Sequence, residues 1–167
     1  MSTLLYVSSL FTLDVGRTRR AVASEDNVIK LVKLSNLTEV KDLVGHSEQA
    51  KSVDFSPNGK FVASASCDGS VKVWDIKNGE ETAASWPCLP KDSGDSQMLC
   101  RLRFDPSGDF LALPGKHTVD VISTKTWKPA YTLRGGHSDK LVTVTAWAPN
   151  GKYLATADMD KQVCAYV

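Results

Sequence analysis

No run in this chain approaches the ~20 consecutive apolar residues of a membrane-spanning helix. The apolar opening, Met1–Leu13, carries no basic residue ahead of it and is broken by polar ones, so it makes a poor secretory leader. Charge of one sign is also missing. Residues 1–83 hold 10 basic and 11 acidic side chains and the remainder 10 and 8, for a net charge of +1. That balance argues against the clustered basic surface with which a protein grips nucleic-acid phosphates. The four cysteines (Cys67, Cys88, Cys100, Cys164) form no Cys-x-x-Cys pair. They fit neither a thiolate metal site nor a dense disulfide framework, and are expected to be buried thiols of a soluble intracellular protein.

What is present is repetition. An aromatic-x-Pro-x-Gly turn occurs at Phe55–Gly59, Phe104–Gly108 and Trp147–Gly151, spaced 49 and then 43 residues, and an apolar run follows each time. Two units open with Gly-His, Gly45-His46 and Gly136-His137, and one closes on Trp74-Asp75. A period in the forties with several strands per period marks a propeller blade. On these residues the chain resembles the WD-repeat β-propeller family, whose members mostly supply binding surfaces rather than chemistry.

Aligning the turns gives the expected strands. The best unit reads Ala50–Phe55, Lys60–Ser66, Ser70–Ile76 and Glu81–Trp86, with Asp68-Gly69 at a hairpin of the kind that needs positive φ. The same grammar fits Leu99–Phe104, Asp109–Leu113, Thr118–Ser123 and Ala130–Leu133, then Leu141–Trp147, Lys152–Ala157 and Gln162–Val167. Upstream, Arg20–Ser24, Asn27–Leu34 and Glu39–Leu43 read as an earlier blade whose inner strand should lie within residues 4–15. The expectation is an all-β partial propeller of about four blades, at 16–44, 45–86, 99–135 and 136–167. An atypical segment, 1–15, precedes them, and a proline-bracketed insertion over 87–98 falls on one rim. At roughly 40–45 residues per blade, 167 residues reach only the low end of a closed ring. The last unit stops on its third strand, so the chain is expected to be a piece of a larger propeller, poorly soluble, oligomeric or only marginally stable by itself.

In the resembled family a His of the Gly-His pair, an Asp of the tight turn, a Ser or Thr of the second strand and a Trp of the third form a hydrogen-bonded tetrad inside the blade. The matching residues are His46, Asp68, Ser66 (with Ser64 the alternative) and Trp74. In the last unit they are His137, Asp160 and Tyr166. The His-to-Asp separations are then 22 and 23, and the Asp-to-aromatic separation is 6 in both. Such a set satisfies buried groups that are costly alone. The competing reading of Ser, His and Asp is a hydrolase triad, which needs an exposed serine with oxyanion donors, and the chain has no Gly-x-Ser-x-Gly elbow. His46, His117 and His137 lie on separate repeats, which argues against a metal site, and no cofactor is implied. The third unit has neither Gly-His nor Trp, and is expected to be the weakest blade.

One stretch is more specific. Phe61–Trp74, then Ser85-Trp86-Pro87, Leu99–Arg103 and Leu111–Pro114 are similar to the amino-terminal propeller of the acidic nucleoplasmic DNA-binding protein family. The resemblance implies a non-enzymatic, nuclear scaffold in DNA replication and repair that meets DNA polymerase alpha and the replicative helicase through the full-length protein. It transfers no contact residue to this chain. The alternatives are a generic WD adaptor, such as a ubiquitin-ligase substrate receptor or a trafficking scaffold, in the nucleus or cytoplasm, and the serine hydrolase.

Overall fold

The computed structural model describes residues 11–13, 18–23, 26–36, 38–87, 101–137 and 140–167. Cys88, Cys100 and the expected insertion (from residue 88) lie outside the described residues. The all-β expectation holds: the described residues contain fifteen strands and no helix. They form four antiparallel sheets in strict chain order. Sheet 1 is β1 (Phe11–Leu13), β2 (Arg19–Ala23), β3 (Ile29–Lys33) and β4 (Thr38–Leu43). Sheet 2 is β5 (Ala50–Phe55), β6 (Phe61–Ser66), β7 (Ser70–Asp75) and β8 (Glu81–Pro87). Sheet 3 is β9 (Arg103–Phe104), β10 (Phe110–Pro114), β11 (Val119–Ser123) and β12 (Lys128–Leu133). Sheet 4 is β13 (Val142–Trp147), β14 (Leu154–Asp158) and β15 (Val163–Tyr166). The inner strand sought within residues 4–15 is β1, which pairs with Arg20–Val22. The first sheet therefore starts ahead of residue 16, where the first blade was expected to begin.

The turns that announce the repeat are the same object three times over. Gly59 N–H donates to Ser56 O (2.8 Å), Gly108 to Asp105 (3.0 Å) and Gly151 to Ala148 (2.8 Å), and the three glycines have φ of 66°, 78° and 70°. Proline presets the second turn position, and glycine takes the left-handed one that a Cβ disfavours. At Gly108 a Cβ would also meet the ring of Pro57 at 3.3 Å, so neighbouring turns stack on one rim.

Between the sheets lie three apolar clusters, and register shows why they repeat. Ala21/Ala23 pair with Leu31/Ile29, Ala63/Ala65 with Val73/Val71, and Ala112/Pro114 with Val121/Val119. Each sheet thus presents a small-x-small second strand beside a third strand of larger aliphatics. In sheet 2 this face packs on Leu102, Phe104, Leu111, Leu113 and Ile122 of sheet 3. Sheet 1 packs in the same way on Val53, Phe55, Val62 and Trp74, and sheet 3 on Val142 and Leu154. Small residues let successive sheets approach, while the aliphatic row supplies burial of about 1.5–3 kcal/mol per side chain. Polar bonds tie the same seams: Phe104 N donates to Asp54 Oδ2 (2.9 Å), Trp147 Nε1 to Arg103 O (3.2 Å) and Thr145 Oγ1 to Arg101 O (2.7 Å).

Sheet 4 continues the pattern with Ala155/Ala157 opposite Ala165/Val163. Here the face is open: Val163 is 74% exposed, against 1% for Val71 and 0% for Val119 in the same row. Enlarging one alanine on each face separates the two environments. Ala63→Leu should overpack the seam and cost about 1–3 kcal/mol in urea denaturation. Ala155→Leu should change stability by less than about 0.5 kcal/mol. Equal losses would contradict the stacking described here.

Candidate functional site

The tight turn after β6 and the Gly-His segment before β5 bring four polar side chains together inside sheet 2. His46 Nδ1 lies 2.8 Å from Asp68 Oδ2, and its Nε2 lies 2.8 Å from Ser64 Oγ. Trp74 Nε1 donates to the same Ser64 Oγ at 2.9 Å. Direction follows from donor inventory. The indole can only donate, so Ser64 accepts from it and passes its own proton to His46 Nε2. The imidazole must then carry its proton on Nδ1 and donate to the carboxylate. Asp68 also accepts from Ser47 N (3.0 Å), Ser70 N (2.8 Å) and Ser70 Oγ (2.6 Å). Gly45 is required by proximity, since a Cβ there would stand 3.0 Å from the Trp74 ring.

Electrostatics agree with that direction. Burial lowers the His46 pKa from its ordinary 6.5, outweighing the attraction of Asp68, so the ring is held neutral. Burial pushes the Asp68 carboxyl up, but the hydrogen bonds from Ser70 and His46 prevail and hold it at about 2.

The second copy, in sheet 4, is built from different residues than the spacing suggests. His137 Nδ1 meets Asp158 Oδ2 at 2.8 Å and Nε2 meets Thr156 Oγ1 at 2.6 Å. Tyr166 takes the tryptophan's place, with its hydroxyl hydrogen-bonded to Thr156 and Cys164. Burial of Asp158 opposes ionisation, but bonds from His137, Gln162 N and Asp160 N leave its pKa lowered. Gly136 again permits the approach, because a Cβ would fall 2.6 Å from Cys164 Sγ.

Two of the expected residues are therefore corrected. Ser66 is not the hydroxyl of the tetrad. It donates to Glu48 O (2.7 Å) and accepts from Asp68 N (3.1 Å), bracing the turn, while Ser64 sits diagonally across from Trp74, within reach of its indole. Asp160 is exposed, and its N–H donates to Asp158 Oδ1 (2.9 Å). The buried carboxylate comes from the end of β14, in the row that Ser66 holds in sheet 2. Strand alternation puts Ser64 and Ser66 on one side, and the signal for Ser64 is the reach of the Trp74 indole across the sheet. Between Asp158 and Asp160, spacing alone does not choose.

Sheet 3 has no such set. By register, Leu113 stands where Ser64 does and Ile122 where Trp74 does, at 7% and 1% exposure. The space is filled by apolar side chains, so no buried polar group is left unpaired. The reason for expecting a weak third blade falls away, because exchanging a polar set for well-packed apolar residues is often neutral. His117 lies in the hairpin between β10 and β11, which is one residue shorter than the hairpin that holds Asp68.

The Ser64–His46–Asp68 line has the connectivity of a hydrolase triad. Its serine, however, is 0% exposed and already receives the Trp74 N–H. Among the described residues, open clefts of about 200–330 Å³ lie at the seams of the sheets, and none of these is lined by His46, Ser64 or Asp68. Among the described residues no three His, Cys, Asp or Glu side chains are placed to hold a metal ion. The arrangement is suited to fixing strand pairing rather than to reacting.

Comparison with known proteins bears on what the blades serve. A family profile described as "WDHD1 first WD40 domain" matches residues 8–167. The chain is 34% identical over 146 residues to human WD repeat and HMG-box DNA-binding protein 1, covering 86% of the chain and 13% of that protein. It is 36% identical over 152 residues to the Xenopus laevis protein of the same name, again 89% of the chain and 13% of the relative. It is 28% identical over 138 residues to Minichromosome loss protein 1 of Schizosaccharomyces pombe, 82% of the chain and 17% of that protein. The chain thus spans well under a fifth of the length of these relatives.

Two measurements check the network. Ser64→Ala should strand the Trp74 and His46 groups and cost about 1–3 kcal/mol, more than Ser66→Ala; the reverse order in chemical denaturation would refute the assignment. Acid should also destabilise the fold in two stages. His46 is neutral when folded, so below about pH 6.5 protons bind the unfolded chain first. Asp68 stabilises above its ordinary 3.8, and that contribution is lost as pH falls towards about 2. Melting temperature against pH should therefore decline from pH 7 downward, and Asp68→Asn should flatten the lower limb.

Proposed function

We propose, from the premise that this chain belongs to the WDHD1 first WD40 domain family, that it is a non-catalytic protein-interaction module of a DNA replication-associated nuclear scaffold. The observation carrying this reading is the family match across residues 8–167, joined to a blade interior in which the hydroxyl of the Ser64–His46–Asp68 line is closed to solvent. Its blades offer rims and edges for other proteins, as propeller blades do. Direct grip on DNA by this segment is disfavoured by its net charge of +1. Replisome proteins, among them DNA polymerase alpha and the replicative helicase, are the partner class, reached through the whole protein.

The test is to tag the protein at its chromosomal locus and identify its neighbours by proximity labelling in S phase. Enrichment of replication-fork proteins in nuclear chromatin, lost outside S phase, is the expected result. Neighbours drawn instead from ubiquitin ligases or vesicle coats would favour the generic adaptor. Labelling of Ser64 by a serine-directed fluorophosphonate would overturn the non-catalytic reading.

A further inference from the structure

Although the chain is balanced in charge, the seam between sheets 1 and 2 is not. On sheet 1, Arg19 stands opposite Lys33, and Lys41 stands opposite Leu31, two residues before Lys33 on β3. Leu31 belongs to the apolar cluster that includes Val53, Val62 and Trp74 of sheet 2. Strand alternation therefore puts all three cations on the face turned to that sheet. Sheet 2 adds Lys60, which follows its proline turn, and Lys77, in the turn leading to β8. The blade does not require such charge. The rows that Arg19, Lys33 and Lys41 hold in sheet 1 are held in sheet 3 by Phe110, Ser123 and Tyr131.

These cations gather at an open cleft of about 300 Å³ lined by Arg19, Gly59, Lys60, Phe61, Ile76 and Lys77, with Asp75 beside them. Arg19 Nη2 donates to Gly59 O (3.4 Å) and Lys41 Nζ to Lys77 O (2.8 Å), so both side chains cross from sheet 1 to the rim of sheet 2. Two carboxylates stand near. Asp75 accepts from Lys77 N (2.7 Å), and Glu80 accepts from Asn78 Nδ2 (3.0 Å) in the same turn. The cations remain in excess, and among the described residues Lys33, Lys60 and Lys77 enter no ion pair. In the next seam the corresponding space is filled. Gly79 and Trp127 hold the same place in their turns: their N–H groups donate to Asp75 O (2.7 Å) and Ser123 O (2.8 Å), at φ of 79° and 51°. Trp127 folds back onto Phe61, which sits in the row of Arg19, with ring centroids 5.2 Å apart. Gly79 has no side chain to do so, and a Cβ there would collide with Lys41 Cδ.

We propose that this cleft is a docking site for an acidic segment of a partner polypeptide that carries an aromatic side chain among aspartates and glutamates. The aromatic ring enters the cleft and rests on Phe61 and Ile76, as Trp127 rests on Phe61 one seam later. The flanking carboxylates meet Arg19 and Lys33 on one side and Lys60 and Lys77 on the other. Charge complementarity selects the segment and speeds its approach, and the buried ring anchors it. The volume stands at the lower limit of small-molecule pockets, about 300–1,000 Å³, which suits one anchoring side chain rather than an enclosed cofactor. A nucleic-acid strand is the poorer fit, because its phosphates call for cations spread along a stripe rather than set around one apolar hollow. The inference stands apart from the replication reading, since it concerns the purified chain alone.

The probe is a fluorescein-labelled peptide in which aspartates and glutamates flank a central phenylalanine. Titrated into the 167-residue chain, it should bind saturably at one site by fluorescence anisotropy, more weakly as salt is added. Joint replacement of the exposed lysines, Lys33→Glu, Lys60→Glu and Lys77→Glu, should weaken binding about tenfold or more without lowering the melting temperature. Lys152→Glu, at the lysine that follows the last proline turn as Lys60 follows the earlier one, should leave affinity unchanged. A peptide with serine in place of the phenylalanine should bind about tenfold more weakly. Absence of saturable binding, or an equal loss from Lys152→Glu and the joint replacement, would overturn the proposal. So would a single-stranded oligonucleotide of the same charge that displaces the peptide at lower concentration than unlabelled peptide does, because the site would then belong to nucleic acid.

Discussion

The architecture depends on one packing relation: the face each sheet turns to its successor is too apolar to stand in water and too small to be a core by itself. Ala63, Ala65, Val71 and Val73 bury only because Leu102, Phe104, Leu111 and Ile122 come down on them. Each blade is thereby both cover and covered, and stability is shared between neighbours as in other repeat proteins. The alanines matter as much as the branched residues, since they set how closely the sheets approach.

Inside the blades a second requirement operates, that buried polar groups be satisfied. Sheet 2 meets it with a one-way chain of donors from an indole through a hydroxyl and an imidazole to a carboxylate, and sheet 4 links the same kinds of group in the same order. Sheet 3 meets it by having no polar group there at all. That both solutions sit on one backbone register, Ser64 with Trp74 and Leu113 with Ile122, shows that the network is a choice of filling rather than a precondition of the blade. It also shows how a triad-like connectivity can be chemically silent. The hydroxyl that would have to attack is spent on the indole and closed to solvent.

The remaining surface properties follow from these two constraints. Where a sheet has a successor, its small and branched residues vanish from the surface. At sheet 4, among the described residues, Val163 remains on it.

Turn chemistry and apolar alternation are local, so the sequence alone was enough to determine the all-β class, the repeat and nearly every hairpin: Pro57, Pro106 and Pro149 with their glycines specify turns whatever surrounds them. It was also enough to indicate that His46, Asp68 and Trp74 share a blade, through their match to the pattern of the WD-repeat family. Which hydroxyl completes the set was decided in three dimensions. Ser64 and Ser66 lie on the same side of one strand, and only the reach of the Trp74 indole across the sheet separates them. The same holds for Asp158 and Asp160, two residues apart at one hairpin, where burial against His137 depends on a strand end no local pattern reports. The inner strand at Phe11–Leu13 lacks the turn motif and is identified by its pairing with Arg20–Val22. Local signals fix what the backbone does within a few residues; contacts between strands and between blades are set by distances that the linear order does not contain.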